Sequence, residues 1–368
     1  MSTTITTRSF SLSFGDYCRF YVASYYRAYL NPLRGVLLAV VCLALPALMA
    51  WRSLSQGYIQ PLLTYLVGSW VLWLGILPLV GLISWTSTVG KNATLKGPRV
   101  AELSPAGFAV IGDSFETRQQ WGQFTSVGQA GRIIYLMTNA RTGMIVRKDA
   151  FTSDHDWQSF VAEAKRHIAA AKDKHAQVFY DEPIVAAPAE GLQTPPFHLT
   201  FGIFYPYYLR ILYGTFVRPG TLIVVLLGFA VVPLWLQRQA LLAGDWSGLP
   251  SLLAPLLTFL ALFPPLMALL AWPATRKTPA AKGPRTVTLT PERIVAKGDA
   301  YDVSIAWGDM SKITHDFGQL IAWTGTQGGV LVPDSAFADT AAARAFHAEA
   351  VRLFKAAKSA AAKSTLDG

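Results

Sequence analysis

Two tetrapeptides hold the residues best placed to do chemistry. Lys96-Gly97-Pro98-Arg99 and Lys282-Gly283-Pro284-Arg285 each set two cations within four residues, a spacing that can hold the phosphate oxygens of a lipid headgroup. Lys96, Arg99, Lys282 and Arg285 are therefore the candidate lipid-headgroup contacts, and the competing reading is that they only set membrane topology. The other reactive side chains form no constellation. His155, His167, His175, His198, His315 and His347 are scattered, and no two share an HExxH or Cys/His metal spacing. They read as surface or packing residues, so no metal is expected. No GxSxG, Walker loop or dinucleotide fingerprint occurs. The positions that recur along the chain are Gly, Pro, Trp and Phe, which make turns and cores rather than acids, bases or nucleophiles. Neither an enzyme activity nor a cofactor is expected. Trp121 and Trp307 read as core, and Asp113 and Asp299 as turn residues.

The elements that position the tetrapeptides come in two copies. At an offset of 186 residues, Lys96 to Arg166 aligns without a gap on Lys282 to Arg352. Leu103 and Pro105 fall on Leu289 and Pro291, Gly112-Asp113 on Gly298-Asp299, Trp121-Gly122 on Trp307-Gly308, and Phe160 on Phe346. Upstream the offset is 187, pairing Phe14-Gly15 with Phe201-Gly202, Pro32 with Pro219 and Pro46 with Pro233. A period of this length is a duplicated domain, not a solenoid repeat.

With 52% hydrophobic residues, 15% charged residues, 11 Trp and a mean hydropathy of +0.33, the chain of 368 residues reads as a membrane protein. In that setting the net charge of +10 is a topological signal, and nucleic acid is not an expected partner. Cys18 and Cys42 make no disulfide framework and read as packing residues. Met1 to Arg8 lacks the apolar core and cleavage site of a signal peptide.

The expected organisation is an α+β membrane protein. Residues 1–34 hold an aromatic helix, with Phe14, Tyr17, Tyr21, Tyr25 and Tyr29 at helical spacing; it lies at the membrane surface or packs on the neighbouring domain. A transmembrane hairpin follows over 35–90 and a small antiparallel domain over 91–171, then a proline-rich linker over 172–196. The second copy supplies an aromatic helix over 197–218, a hairpin over 219–273 and a domain over 274–358, before a flexible tail over 359–368. The fold class is thus four transmembrane helices as two hairpins, each followed by a small sheet closed by a C-terminal helix. Basic residues flank the spans on one side, which places both termini in the cytoplasm and the chain in the inner, cytoplasmic membrane. Strands are predicted at Arg285–Thr290, Ile294–Ala296, Val303–Trp307, Leu320–Thr324 and Val330–Val332, and a closing helix with Asp339 as N-cap and Ala343, Phe346, Ala350 and Phe354 inward.

A meandering sheet closed by one helix is the layout of pleckstrin-homology-like domains. The second copy, with VTLTPERI, Trp307-Gly308-Asp309, Gly328-Gly329-Val330-Leu331-Val332-Pro333 and Ser335-Ala336-Phe337, resembles the bacterial YcxB-like family, most strongly over 282–347. Arg147 and Gln123 stand in the first copy where Pro333 and Asp309 stand in the second. The resemblance implies a membrane hairpin followed by such a domain, and hands over no catalytic residues. The expected function is a non-enzymatic membrane protein whose two domains bind a protein partner or inner-leaflet lipid. Two alternatives are an immunity protein, whose partner is a membrane-inserting toxin, and a transporter or channel component. Against transport, no ionisable residue lies within the apolar stretches. Copies of the same chain are a further candidate partner.

Overall fold

Apolar and polar side chains alternate along short runs, glycines and Asp-Ser pairs break the runs, and the result is two series of antiparallel strands. A computed structural model describes residues 4–29, 97–138, 142–172, 191–216, 283–325 and 328–366, with short stretches and single positions between 43 and 281. Met1–Phe20, Ser87–Ile211 and Leu269–Gly368 form one compact unit, and Tyr21–Thr86 with Leu212–Ala268 form another. Both strand series belong to the first. The first copy runs β1 (Ile5–Thr6), α1 (Phe14–Tyr29), β2 (Arg99–Ser104), β3 (Gly107–Gly112), β4 (Phe115–Gln120), β5 (Ser126–Ala130), β6 (Ile133–Met137), β7 (Gly143–Arg147) and α2 (Asp154–Lys172). The second repeats the order with β8 (Leu192–Gln193), α3 (Phe201–Phe216), β9 (Arg285–Leu289), β10 (Arg293–Gly298), β11 (Tyr301–Ala306), β12 (Lys312–Asp316), β13 (Gln319–Trp323), β14 (Gly329–Pro333) and α4 (Thr340–Leu366).

The two copies share a sheet. Eight strands run in the order β1-β2-β3-β4-β11-β10-β9-β8, and two three-stranded sheets, β5-β6-β7 and β12-β13-β14, complete the copies. At the seam β4 and β11 pair antiparallel, Phe115 with Ile305 and Tyr301 with Gln119, so that Thr117 lies opposite Val303, its own counterpart at the 186-residue offset. Backbone bonds at the two ends of the seam match likewise, Ala306 N–H to Ser114 O at 2.9 Å and Gln120 N–H to Ala300 O at 3.2 Å. That is the self-complementary pattern of a two-fold interface, here formed within one chain.

Each copy has its own core. In the first, Leu103, Phe108, Trp121, Phe124, Leu136, Val146, Trp157 and Phe160 pack together; in the second, Leu289, Ile294, Trp307, Met310, Leu320, Val332 and Phe346 do. Trp121 and Trp307 each donate an indole N–H at 2.8 Å, to the carbonyls of Ser104 and Thr290, so both tryptophans are core residues with a satisfied polar end. Gly143 and Gly329 open β7 and β14, where a Cβ would collide with the carbonyl oxygens of Leu136 and Ala322. Asp339 caps α4 by accepting from Ala342 N–H at 2.7 Å, and Ala343, Phe346 and Ala350 face inward as their spacing requires, with Leu353 beside them.

The aromatic helices pack on protein. Every residue of β6 and β13 is buried because both faces of each strand are covered. On the outer face of the second small sheet, Ile203, Tyr207 and Ile211 of α3 meet Ile321, Trp323 and Leu331; on the first, Phe20 of α1 stands edge-on to Tyr135 at 5.8 Å.

The four-span fold class needs correcting. Among the described residues no helix is long and apolar enough to cross a membrane, and what they build is an α+β arrangement of antiparallel sheets with a few helices. The reason is in the helices themselves. α1 and α3 have 16 residues each, about 24 Å against a hydrocarbon core of about 30 Å. α2 and α4 carry charges along their length. The hairpins expected over 35–90 and 219–273 lie almost wholly outside the described residues. Four strands escape the sequence reading. β1 and β8 occupy stretches assigned to helix and linker, and β5 and β12, given no element there, are equivalent strands each paired on one side only. Residues 173–190 of the expected linker lie outside the described residues, and α4 continues through the expected tail to Leu366.

Candidate functional site

Arg99 and Arg285 begin the equivalent strands β2 and β9, each held by a two-way backbone pair, with Phe10 in one copy and Phe197 in the other. The two copies then use the arginine differently. Arg99 is 5% exposed. Its Nε and Nη2 donate to the Gly97 carbonyl at 3.4 and 3.3 Å, its guanidinium lies 5.3 Å from the centre of the Phe115 ring, and the Tyr17 phenol hydrogen-bonds it. Burial pulls the Arg99 guanidinium down from its usual range, with Tyr17 opposing, and pushes the Tyr17 phenol up to about 12 against the pull of Arg99. This arginine is built into the interior, away from solvent. Lys96 and Lys282 lie outside the described residues.

At Arg285 the phenol is missing, since Phe204 occupies the place of Tyr17 at the 187-residue offset. The guanidinium lies 6.0 Å from the centre of the Tyr301 ring. Arg285 and Tyr301 border a cavity of about 400 Å³, walled by Phe204 and Tyr207 of α3, Val287 and Ala296 of β9 and β10, Val303 and Ile305 of β11, and Val330 and Leu331 of β14. The substitutions between copies favour an opening here. Ala296 stands where the first copy has the larger Val110, which leaves room, and Ile305 stands where it has Gln119, which makes the wall apolar. Burial pushes the Tyr207 phenol up to about 12, a hydrogen bond with the Gly329 backbone opposing, and it also raises Tyr301, with Arg285 opposing. Both phenols stay neutral at physiological pH. The volume falls in the range of small-ligand sites, about 300–1,000 Å³.

Other differences between the copies find structural uses. Asp309 accepts a hydrogen bond from the Ser114 hydroxyl across the seam, while its counterpart Gln123 is buried. Arg147, in the place of Pro333, binds the Asp149 carboxylate and donates to the Ser11 carbonyl at 2.9 Å.

Two of the scattered histidines meet. His315 on β12 and His347 on α4 both turn Nε2 toward Asp334, at 2.9 and 3.2 Å, with ring centres 4.5 Å apart. The three lie on separate elements, so no linear spacing reveals them. Burial pulls His347 below its usual range; Asp334 opposes this and His315 adds to it. His167 instead stacks on Trp121 at 5.0 Å, a packing role.

A model of the YcxB-like protein family matches residues 103–164, from β2 into α2. The family suspected from the sequence is thus matched by one domain, and the matched stretch lies in the first copy rather than over 282–347, where the resemblance was drawn most strongly. No curated protein and no solved structure matches the chain.

Proposed function

We propose that this chain, which carries a YcxB-like domain, is a non-enzymatic binding protein whose second copy takes an anionic amphiphile, a lipid with an acidic headgroup, into the cavity beside Arg285. One observation carries the reading: an apolar cavity of about 400 Å³ with Arg285 among its lining residues. Hydrocarbon gains about 25 cal/mol per Å² on entering such a space, and Arg285 offers planar, charge-assisted donors to a phosphate or carboxylate. Among the described lining residues there is no carboxylate, histidine, cysteine or lysine to act as acid, base or nucleophile, which favours binding over catalysis.

The test is equilibrium binding of fluorescent phosphatidylglycerol and phosphatidylcholine, delivered from cyclodextrin, to the full chain. Arg285→Gln is expected to weaken the acidic lipid about tenfold and leave the neutral one unchanged. Ala296→Trp, which fills the cavity, should abolish both. A wild-type chain that binds neither lipid, or binding indifferent to Ala296→Trp, overturns the reading and turns attention to a protein partner.

A further inference from the structure

We propose that His315, Asp334 and His347 form a binding site for a divalent transition-metal ion of the zinc class, separate from the cavity beside Arg285. The three residues each present one ligand atom, and these atoms lie within 4.8 Å of one another. His315 Nε2 is 3.1 Å from Asp334 Oδ1, and His347 Nε2 is 3.2 Å from the same oxygen. Two ligand atoms on a tetrahedral ion with bonds of about 2.0–2.1 Å stand about 3.3 Å apart, so the two histidine–carboxylate separations are already near those of a liganded set. Only the approach of the ligands around an ion remains.

A plain hydrogen-bonded cluster explains part of this geometry. It accounts for His315, whose Nε2 bonds the carboxylate. It does not account for His347, whose Nε2 is buried and makes no hydrogen bond despite standing 3.2 Å from the same carboxylate. A nitrogen withdrawn from water without a hydrogen bond is costly, and a metal bond is one way to satisfy it.

The surroundings hold the three residues in place. Asp334 begins a short 3-10 turn, and its backbone N–H donates to the Gly318 carbonyl at 2.9 Å, which ties it to the β12–β13 hairpin carrying His315. Phe337 meets the His347 ring at 90° and walls one side.

The duplication supplies an internal control. The first copy builds the same elements with Gln129, Lys148 and Val161 at the equivalent positions, so the fold does not require the trio. Lys148 puts a cation where Asp334 puts a carboxylate, and it pairs with Asp154 at 3.0 Å. The ligand set is therefore a property of the second copy alone. Two imidazoles and one carboxylate suit zinc, cobalt or nickel better than calcium or magnesium, which prefer oxygen. Three protein ligands leave a fourth position to water or a partner, and His315 is about half exposed, at 48% of its side chain, which opens the site to solvent.

The experiment is titration of the tag-free, chelator-treated full chain with Zn²⁺ by calorimetry and with Co²⁺ by visible absorption. One ion should bind per chain, and Co²⁺ should show the intense d–d bands of a low-coordinate site. His347→Val and His315→Gln, which install the residues of the first copy, should each weaken binding at least tenfold while circular dichroism stays unchanged. Saturable binding that survives both substitutions, or no one-to-one binding by the wild-type chain, overturns the assignment. Should either variant misfold, the wild-type stoichiometry and the Co²⁺ spectrum still decide it.

Discussion

Asp302 shows how a single residue reports on its setting. It lies in β11 between Lys297 of β10 and Arg118 of β4, and its Oδ1 is buried without a hydrogen-bond partner among the described residues. Burial pushes its carboxyl above the usual range; Lys297 opposes this, Glu116 adds to it and Arg118 opposes it. A carboxyl whose folded pKa is raised costs stability once ionised. The cost is absent below the ordinary carboxylate range and complete above the raised value. Asp302→Asn is therefore expected to raise the melting temperature by a few degrees at neutral pH, and the gain should vanish in acid; thermal melts across pH check this. Sequence reading placed Trp307 in the core, because a large aromatic ending a strand is best satisfied there. It could not see that Asp302 Oδ1 is buried, because that depends on the strand across the seam.

At the scale of elements, α1 and α3 are the same helix stabilised in two ways. Ser13 and Asp16 form a capping box at the start of α1: Ser13 N–H donates to Asp16 Oδ2 at 2.9 Å, and Asp16 N–H to Ser13 Oγ at 3.3 Å. Arg132 then reaches Asp16 Oδ1 at 2.9 Å. In α3 the equivalent of Asp16 is Ile203, which packs on Ile321 and Leu331. Burial alone would raise the Asp16 carboxyl, but the Ser13 hydroxyl and amide and Arg132 outweigh it and hold it below the usual range. Its stabilisation is present above the ordinary carboxylate range and lost as pH falls through the lowered value. Hydrogen exchange should show the first turns of α1 losing protection in acid while those of α3 keep theirs. Asp16→Asn should cost about 1–2 kcal/mol at neutral pH and abolish the difference in pH response. The aromatic spacing predicted both helices but left their apolar face open to lipid or protein; the small sheets cover part of it, at Phe20 in α1 and at Ile203, Tyr207 and Ile211 in α3, while Phe14 and Phe201 stay exposed. β1 and β8 carried a signal too. Thr7 and Thr194, 187 residues apart, each accept a backbone N–H, from Ala101 at 2.9 Å and Val287 at 3.0 Å. Two residues are too short for alternation to register, so that offset was the only linear clue.

The whole molecule turns on the seam. Without it β4 and β11 would be open edges, each a template for a stray strand. Pairing them closes both and joins the two cores through one sheet, with Thr117 and Val303 at its centre. Proline at both positions removes ladder donors and cannot be accommodated between paired strands. Calorimetry of the Thr117→Pro, Val303→Pro double variant should resolve two transitions where the wild-type unit should show one. A single, merely lowered transition would mean that the copies are coupled elsewhere.

The sequence by itself determined the duplication, most of the strand order, the closing helices and the Asp339 cap, because periodicity, turn chemistry and capping act over a few neighbouring residues. Only the tertiary structure decided which strand edges meet, that Arg99 is enclosed by Tyr17 while Arg285 borders a cavity, and that His315, Asp334 and His347 converge. These are relations between residues far apart in the chain. Apolar patterning says that a face must leave water; it does not say whether lipid, a sheet or a second copy of the fold will cover it.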